Sequence, residues 1–212
     1  QLASSYDVMV PHHAGWGKST RPEWMRSVRD QAVMYQGVLA DLGVDRPILL
    51  GLGFGGWIAA EMASMAPKAV AGLVLVGPFG IKPKEGEILD QAIVSYIDYP
   101  TAAFHDPGAF KKIYGNVTTD QLEAWDIARE MSFRIAWKPY MYSQTLPHLL
   151  GSVKAPSLIV WGENDRHIPA STAAQWKQAL PNAKVEVVKS CGHAVDLEKP
   201  AELAKLIAGF LK

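Results

Sequence analysis

Apolar positions along the chain follow two alternating patterns. Val28, Ala32, Tyr35, Leu39 and Leu42 recur at helical spacing and Gly43 supplies a left-handed stop, which predicts a helix with one face on a sheet. Val70 to Val76 and Ser157 to Trp161 are continuous apolar runs, as expected of parallel strands buried on both faces. Tyr6 to Pro11, Ile48 to Leu50 and Lys184 to Val188 read as further short strands. Pro200 to Leu211 reads as a closing amphipathic helix with Leu203, Leu206, Ile207 and Phe210 on one side. Strands alternating with helices predict an α/β fold with a mostly parallel, doubly wound sheet.

Residues 81–150 break that rhythm. This stretch holds half of the chain's aromatics, including Tyr96, Tyr99, Phe104 and Trp125, and a helix opened by the capping pattern Thr118-x-x-Gln121. It is expected to form a helical cap insertion on a core made of residues 1–80 and 151–212. Its aromatics are either a small core of its own or the walls of a pocket.

Composition narrows the class of partner. A chain of 212 residues, 49% hydrophobic and 20% charged, can bury a sizeable core and form one domain with an insertion. Lys+Arg and Asp+Glu balance at 21 each and no basic run stands out, so neither nucleic acid nor a membrane surface is expected as a partner. A small-molecule substrate or ligand is. The single Cys191 excludes an intrachain disulfide and suits a reducing, cytoplasmic setting. No apolar run reaches the roughly 18 residues of a spanning helix, and no signal-peptide pattern opens the chain. Position 1 is Gln, so a trimmed product or a fragment is expected.

Gly51-Leu52-Gly53-Phe54-Gly55-Gly56 sits between an apolar strand and the helix-like stretch that begins at Trp57. Two devices share this strand, glycine turn and helix: the G-x-S-x-G nucleophile elbow and the G-x-G-x-x-G dinucleotide fingerprint. The fingerprint needs an acid at the end of the next strand for the ribose hydroxyls, but that strand ends Val76-Gly77-Pro78-Phe79. A phosphate-binding P-loop at Gly17-Lys18-Ser19 would need glycine where His12 stands. No cofactor or metal site is expected.

The C-terminal third supports the elbow. Trp161-Gly162-Glu163-Asn164-Asp165-Arg166 follows one buried strand, and Cys191-Gly192-His193-Ala194 follows the last. Together with the Pro11 to Ser19 loop, these segments resemble the α/β-hydrolase family, in the family's order of elbow, acid and histidine. The Cys191-Gly192-His193 loop looks most like that of hydrolases of ring-cleavage products, although Ala194 departs from the tryptophan often found there. The resemblance implies an orienting acid at Asp165, a general base at His193 and an oxyanion-binding N–H at Phe54. The other histidines, His167 among them, are expected to be structural, Cys191 a buried small hydrophobe and Ser19 a turn cap.

The pattern departs from the family at Gly53, where the nucleophilic serine would stand. Glycine escapes the backbone strain of that position but offers no oxygen to attack a carbonyl. The expectation is therefore a hydrolase by ancestry, acting on small esters or carbon–carbon bonds, with impaired or altered activity. A non-catalytic small-molecule binding protein is one alternative. A cofactor-free lyase or oxygenase using the Asp165 and His193 pair is another.

The resemblance also implies that three strands and a loop carrying the second oxyanion donor lie upstream of residue 1. In the family's sheet one of those strands separates the two that Tyr6 to Val10 and Ile48 to Leu50 represent. The chain is expected either to be part of a longer protein or to repack, by pairing these strands directly or by borrowing an edge from a second copy in a homodimer.

Overall fold

A computed structural model describes residues 2–212. Helix α1 (Val28–Asp41) begins with a two-way capping box: Ser27 Oγ accepts the Asp30 N–H and an Asp30 carboxylate oxygen accepts the Ser27 N–H. It stops at Gly43, whose φ of +64° is left-handed, as the apolar spacing predicted. Strand β1 (Ile48–Leu52) leads through Gly53 into α2 (Phe54–Met65), and strand β2 (Gly72–Val76) follows.

Between β2 and β3 (Ser157–Gly162) the chain makes a long helical excursion through α3 (Asp98–Ala102), α4 (Pro107–Tyr114), α5 (Thr119–Ala136) and α6 (Leu146–Leu149). Its neck is pinned where Gly80 pairs with the Met141 to Ser143 segment, through Gly80 N–H to Met141 O at 3.1 Å and Ser143 N–H to Gly80 O at 2.9 Å. Thr118 caps α5 by accepting the Gln121 N–H at 3.2 Å. Helix α7 (Thr172–Ala179), strand β4 (Ala183–Val188), the short α8 (Val195–Glu198) and α9 (Pro200–Phe210) complete the order.

The four strands are parallel and lie in the order β1-β2-β3-β4. Successive side chains of a strand point to opposite faces, and the two central strands show it. Leu73, Leu75, Ile159 and Trp161 join α1, α2 and α7 in one core, whereas Val74, Val76, Leu158 and Val160 meet Leu203 and Ile207 of α9 in a second. Helices on both faces explain why β2 and β3 read as uninterrupted apolar runs.

The expected strand at Tyr6 to Pro11 is not formed. Residues 7–10 have no regular structure, and Val10 is 84% exposed. A strand owes its stability to ladder hydrogen bonds and covered side chains, and among the described residues no strand lies beside this segment. Direct pairing with β1 is not found either. β1 instead forms the edge of the sheet, with Ile48, Leu50 and Leu52 exposed. Among the described residues no helix is long and apolar enough to cross a membrane.

Candidate active site

The site is assembled at the carboxyl ends of the strands, where a parallel α/β sheet leaves a crevice. Gly53, between β1 and α2, adopts φ +50° and ψ −112°, a conformation outside the regions open to ordinary side chains. Its N–H donates to Val76 O at 2.8 Å and its carbonyl accepts the Phe79 N–H at 3.2 Å, so the turn is fastened to the end of β2. Phe54 is the first residue of α2, so its N–H has no acceptor within the helix.

Asp165 and His193 come from the loops after β3 and β4. Those loops touch backbone to backbone: a Cβ on Gly162 would collide with the carbonyls of Gly192 and Cys191, so glycine is required for the approach. The result is a 2.8 Å contact between Asp165 Oδ2 and His193 Nδ1. The other carboxylate oxygen of Asp165 accepts the N–H groups of His167 at 2.8 Å and Ile168 at 2.9 Å. Burial would push the Asp165 carboxyl up, but His193 and these donors hold it below its ordinary range. Burial would push His193 down, yet the Asp165 carboxylate holds it above its ordinary range.

The second ring nitrogen of His193 faces the elbow. A Cβ built on Gly53 would lie 2.9 Å from Nε2, closer than real side chains pack. The imidazole therefore rests against the glycine. Phe79 packs edge-on against one side of the ring, with centroids 5.5 Å apart, and His167 lies at 4.7 Å.

These groups open into a cavity of about 360 Å³ lined by Gly53, Phe54, Phe79 and His193 at one end and by residues of the β2–β3 excursion elsewhere. Tyr96, Tyr99, Phe104, Tyr114 and Trp125 are wall residues. Phe133 and Trp137 instead meet edge to face, with ring centroids 4.9 Å apart, away from it, so the aromatics of this stretch divide between the two expected roles. Arg129 also lines the cavity, its guanidinium 4.0 Å from the Tyr96 ring centroid.

All four sequence-derived positions, Gly53, Phe54, Asp165 and His193, thus meet in one corner. Cys191 is buried, with its thiol pushed up to about 12 mainly by burial, as befits a core residue. Ser19 binds the carbonyl of His12 within its own loop.

His167, expected to be structural, lies beside the pair, which the sequence reading did not anticipate. It is buried, stacks on Tyr99 with ring centroids 4.2 Å apart, and lines the cavity beside His193. Its Nε2 donates to the Tyr99 carbonyl at 2.8 Å, and burial, helped by His193, pushes it down to about 3, so it is neutral. Asp196 and Arg129 were missed as well. His167 and Asp196 lie two and three residues past Asp165 and His193, and that adjacency was the available signal. Among the described residues no three His, Cys, Asp or Glu side chains converge as metal ligands would.

The chain matches the alpha/beta hydrolase fold family over residues 1–200. It belongs to that family. The 2-hydroxy-6-oxononadienedioate/2-hydroxy-6-oxononatrienedioate hydrolase of Paraburkholderia phymatum is 30% identical to this α/β hydrolase over 98% of the chain and 77% of the relative. The 2-hydroxymuconate semialdehyde hydrolase of a Pseudomonas species is 28% identical over the whole chain and 78% of the relative. Among solved structures, a meta-cleavage product hydrolase of Pseudomonas fluorescens superposes with a TM-score of 0.79 over 99% of this chain and 81% of its own, at 19% identity, a likeness of fold. The chain therefore spans about three quarters of the length of such curated relatives.

Proposed function

We propose that this α/β hydrolase keeps the ligand cavity and the acid–base half of a hydrolytic site but lacks the nucleophile. Its ancestral reaction is hydrolysis of an ester or carbon–carbon bond in a small, partly apolar acid. The observation that carries the reading is the alignment of Asp165, His193 and Gly53: a carboxylate 2.8 Å behind the imidazole and a bare glycine in front of Nε2.

The physical roles follow from that alignment. Asp165 fixes the tautomer with the proton on Nδ1 and stabilises the imidazolium, leaving Nε2 free to take a proton. With no oxygen at residue 53, the bond from nucleophile to carbonyl carbon cannot form, and no acyl-enzyme follows. Phe54 N–H is the oxyanion donor this chain supplies. Arg129, on the aromatic wall, suits a carboxylate of the ligand. The β2–β3 excursion acts as the cap that closes the cavity, and the protein works on a small molecule in the cytoplasm.

The test is hydrolysis of a short-chain nitrophenyl ester by the chain as it stands, beside His193→Ala. Equal rates support a site without turnover. A rate in the parent that His193→Ala lowers by about 100-fold or more, as expected when a working general base is lost, overturns it. That second outcome favours the other use of an intact Asp165 and His193 pair, proton transfer without a covalent step, as in a cofactor-free lyase or oxygenase.

A further inference from the structure

Of the two backbone N–H groups that flank His193, one is bonded to the β2–β3 excursion directly and the other through the Glu198 carboxylate. The Ala194 N–H donates to Ala103 O at 2.9 Å. The Gly192 N–H donates to Glu198 Oε2 at 2.6 Å, and Glu198 Oε1 accepts the N–H of Asp106, just ahead of α4, at 2.9 Å. One carboxylate thus joins the histidine loop to the excursion. Among the described residues no Lys or Arg forms an ion pair with it.

The backbones at this junction are as close as those of the two loops. A Cβ on Gly192 would collide with the main chain of Ala103, Phe104 and His105, while the carbonyl of the same glycine lies against Gly162 of the acid loop. Arg166, next to Asp165, reaches the same stretch and donates from Nη2 to Phe104 O at 2.6 Å. Ala103 and Phe104 also line the cavity, so the wall of the cavity and the support of the acid–base pair are one segment. Hydrogen bonds to a charged acceptor are the strong ones, and a backbone N–H that loses its acceptor away from water is costly. Glu198 is therefore the side chain on which this junction depends.

We propose that Glu198 is a positioning residue for His193: its carboxylate fastens the histidine loop to the excursion, so that the wall of the cavity sets the contact between His193 and Asp165. Glu198 does not line the cavity and acts through the Gly192 backbone. The inference rests on the reading of Asp165 and His193 as an acid–base pair, not on any capacity for hydrolysis.

The experiment follows the His193 ring by proton NMR titration, together with amide hydrogen exchange, in the parent chain, Glu198→Ala and Glu198→Gln. Asp165 and Asp196 are the charges that raise His193 and Glu198 is not one of them, so a fall in its pKa reports a parted contact and not a charge removed. An opposite charge in contact moves a pKa by about 1 to 3, so His193 in Glu198→Ala should fall by about 1 or more toward its ordinary value. The Gly192 and Asp106 amides should lose protection together, because one carboxylate serves both. Glu198→Gln keeps the shape and one accepting oxygen, so it should keep protection at one of these amides and show a smaller fall. Arg29→Met, which loosens the fold between α1 and α2, should lower Tm and leave the His193 pKa in place. A folded Glu198→Ala protein whose His193 titrates as in the parent overturns the inference, and so does an equal fall in Arg29→Met. Where Glu198→Ala does not fold, Glu198→Gln decides alone: a titration like the parent's, with both amides protected, overturns it. A parent His193 that already titrates at its ordinary value overturns the pair itself, and the inference with it.

Discussion

His193 Nε2 lies 2.9 Å from the point where a side chain on Gly53 would begin. The base lies against the glycine. A serine placed there would push back a ring held by Asp165 and packed between Phe79 and His167.

Gly53→Ser should therefore gain ester hydrolysis while losing stability. A complete triad adds roughly 10⁶ to kcat in a finished enzyme, so a gain on the order of 10³-fold or more over the parent is expected. The left-handed φ and the displaced ring should cost about 1–3 kcal/mol, read as a Tm lower by several degrees. Gly53→Ala should show the same loss of Tm with no gain in hydrolysis. Nitrophenyl ester assays and thermal melts of both variants decide the matter. An absent gain in a folded Gly53→Ser protein would mean that the elbow no longer serves acyl transfer.

Titration of the buried histidines should leave opposite marks on stability. His167 is pushed from 6.5 down to about 3 in the folded chain, so the unfolded chain binds the extra proton first. Its contribution is whole above pH 6.5 and is lost as pH falls toward 3, at up to about 1.4 kcal/mol per pH unit. His193 is raised, so its contribution is whole below its unfolded value of 6.5 and is lost as pH climbs through the folded value. Denaturant melts of His167→Phe should show a shallower loss of stability between pH 6.5 and 4 than the parent. Parallel curves would mean that His167 is charged in the fold.

The pairing of Asp165 with His193 was legible before the fold because the glycine-marked loops after buried strands resemble, in kind and order, the acid and histidine loops of the α/β-hydrolase family. β2 and β3 were legible as well, because their apolar runs reflect burial on both faces. Tyr6 to Pro11 was misread because a short apolar run says only that a segment can form a strand. A neighbour to pair with is a property of the assembled sheet. The place of His167 against His193 was not legible, because it is fixed by the Tyr99 carbonyl and ring, far away in sequence, and its neutrality comes from burial and from His193.

Arg29 and Glu61 join α1 to α2, with Arg29 NH2 and Glu61 Oε2 2.7 Å apart and the Glu61 side chain 4% exposed. Trp57 Nε1 donates to the other carboxylate oxygen at 3.3 Å. Arg29→Met keeps the packing of the side-chain stem but strands a buried carboxylate, which should destabilise the fold by about 1–3 kcal/mol. Glu61→Gln in the same background should recover part of that loss by removing the charge. Equal stability of the single and double variants would mean that the carboxylate reaches water without Arg29.

Gly162 decides whether the acid and histidine loops can meet at all. A Cβ there would occupy the space of the Gly192 carbonyl oxygen, and backbone has no rotamer through which to yield. The loop after β3 also donates the Asn164 N–H to Cys191 O at 2.8 Å, so spreading the loops would break this bond as well as the 2.8 Å contact of Asp165 with His193. Gly162→Ala should thus either prevent folding or give a folded protein in which the pair is parted. The second case has its own signature in proton NMR, because a parted His193 loses the Asp165 charge and its pKa drops from its raised value. Ala194→Gly, on the same loop but with no such contact to relieve, serves as the control for loop stiffness and should leave that pKa in place. A folded Gly162→Ala protein whose His193 still titrates above its ordinary value would show that the two loops tolerate separation, and that their glycines do not set the geometry of the site.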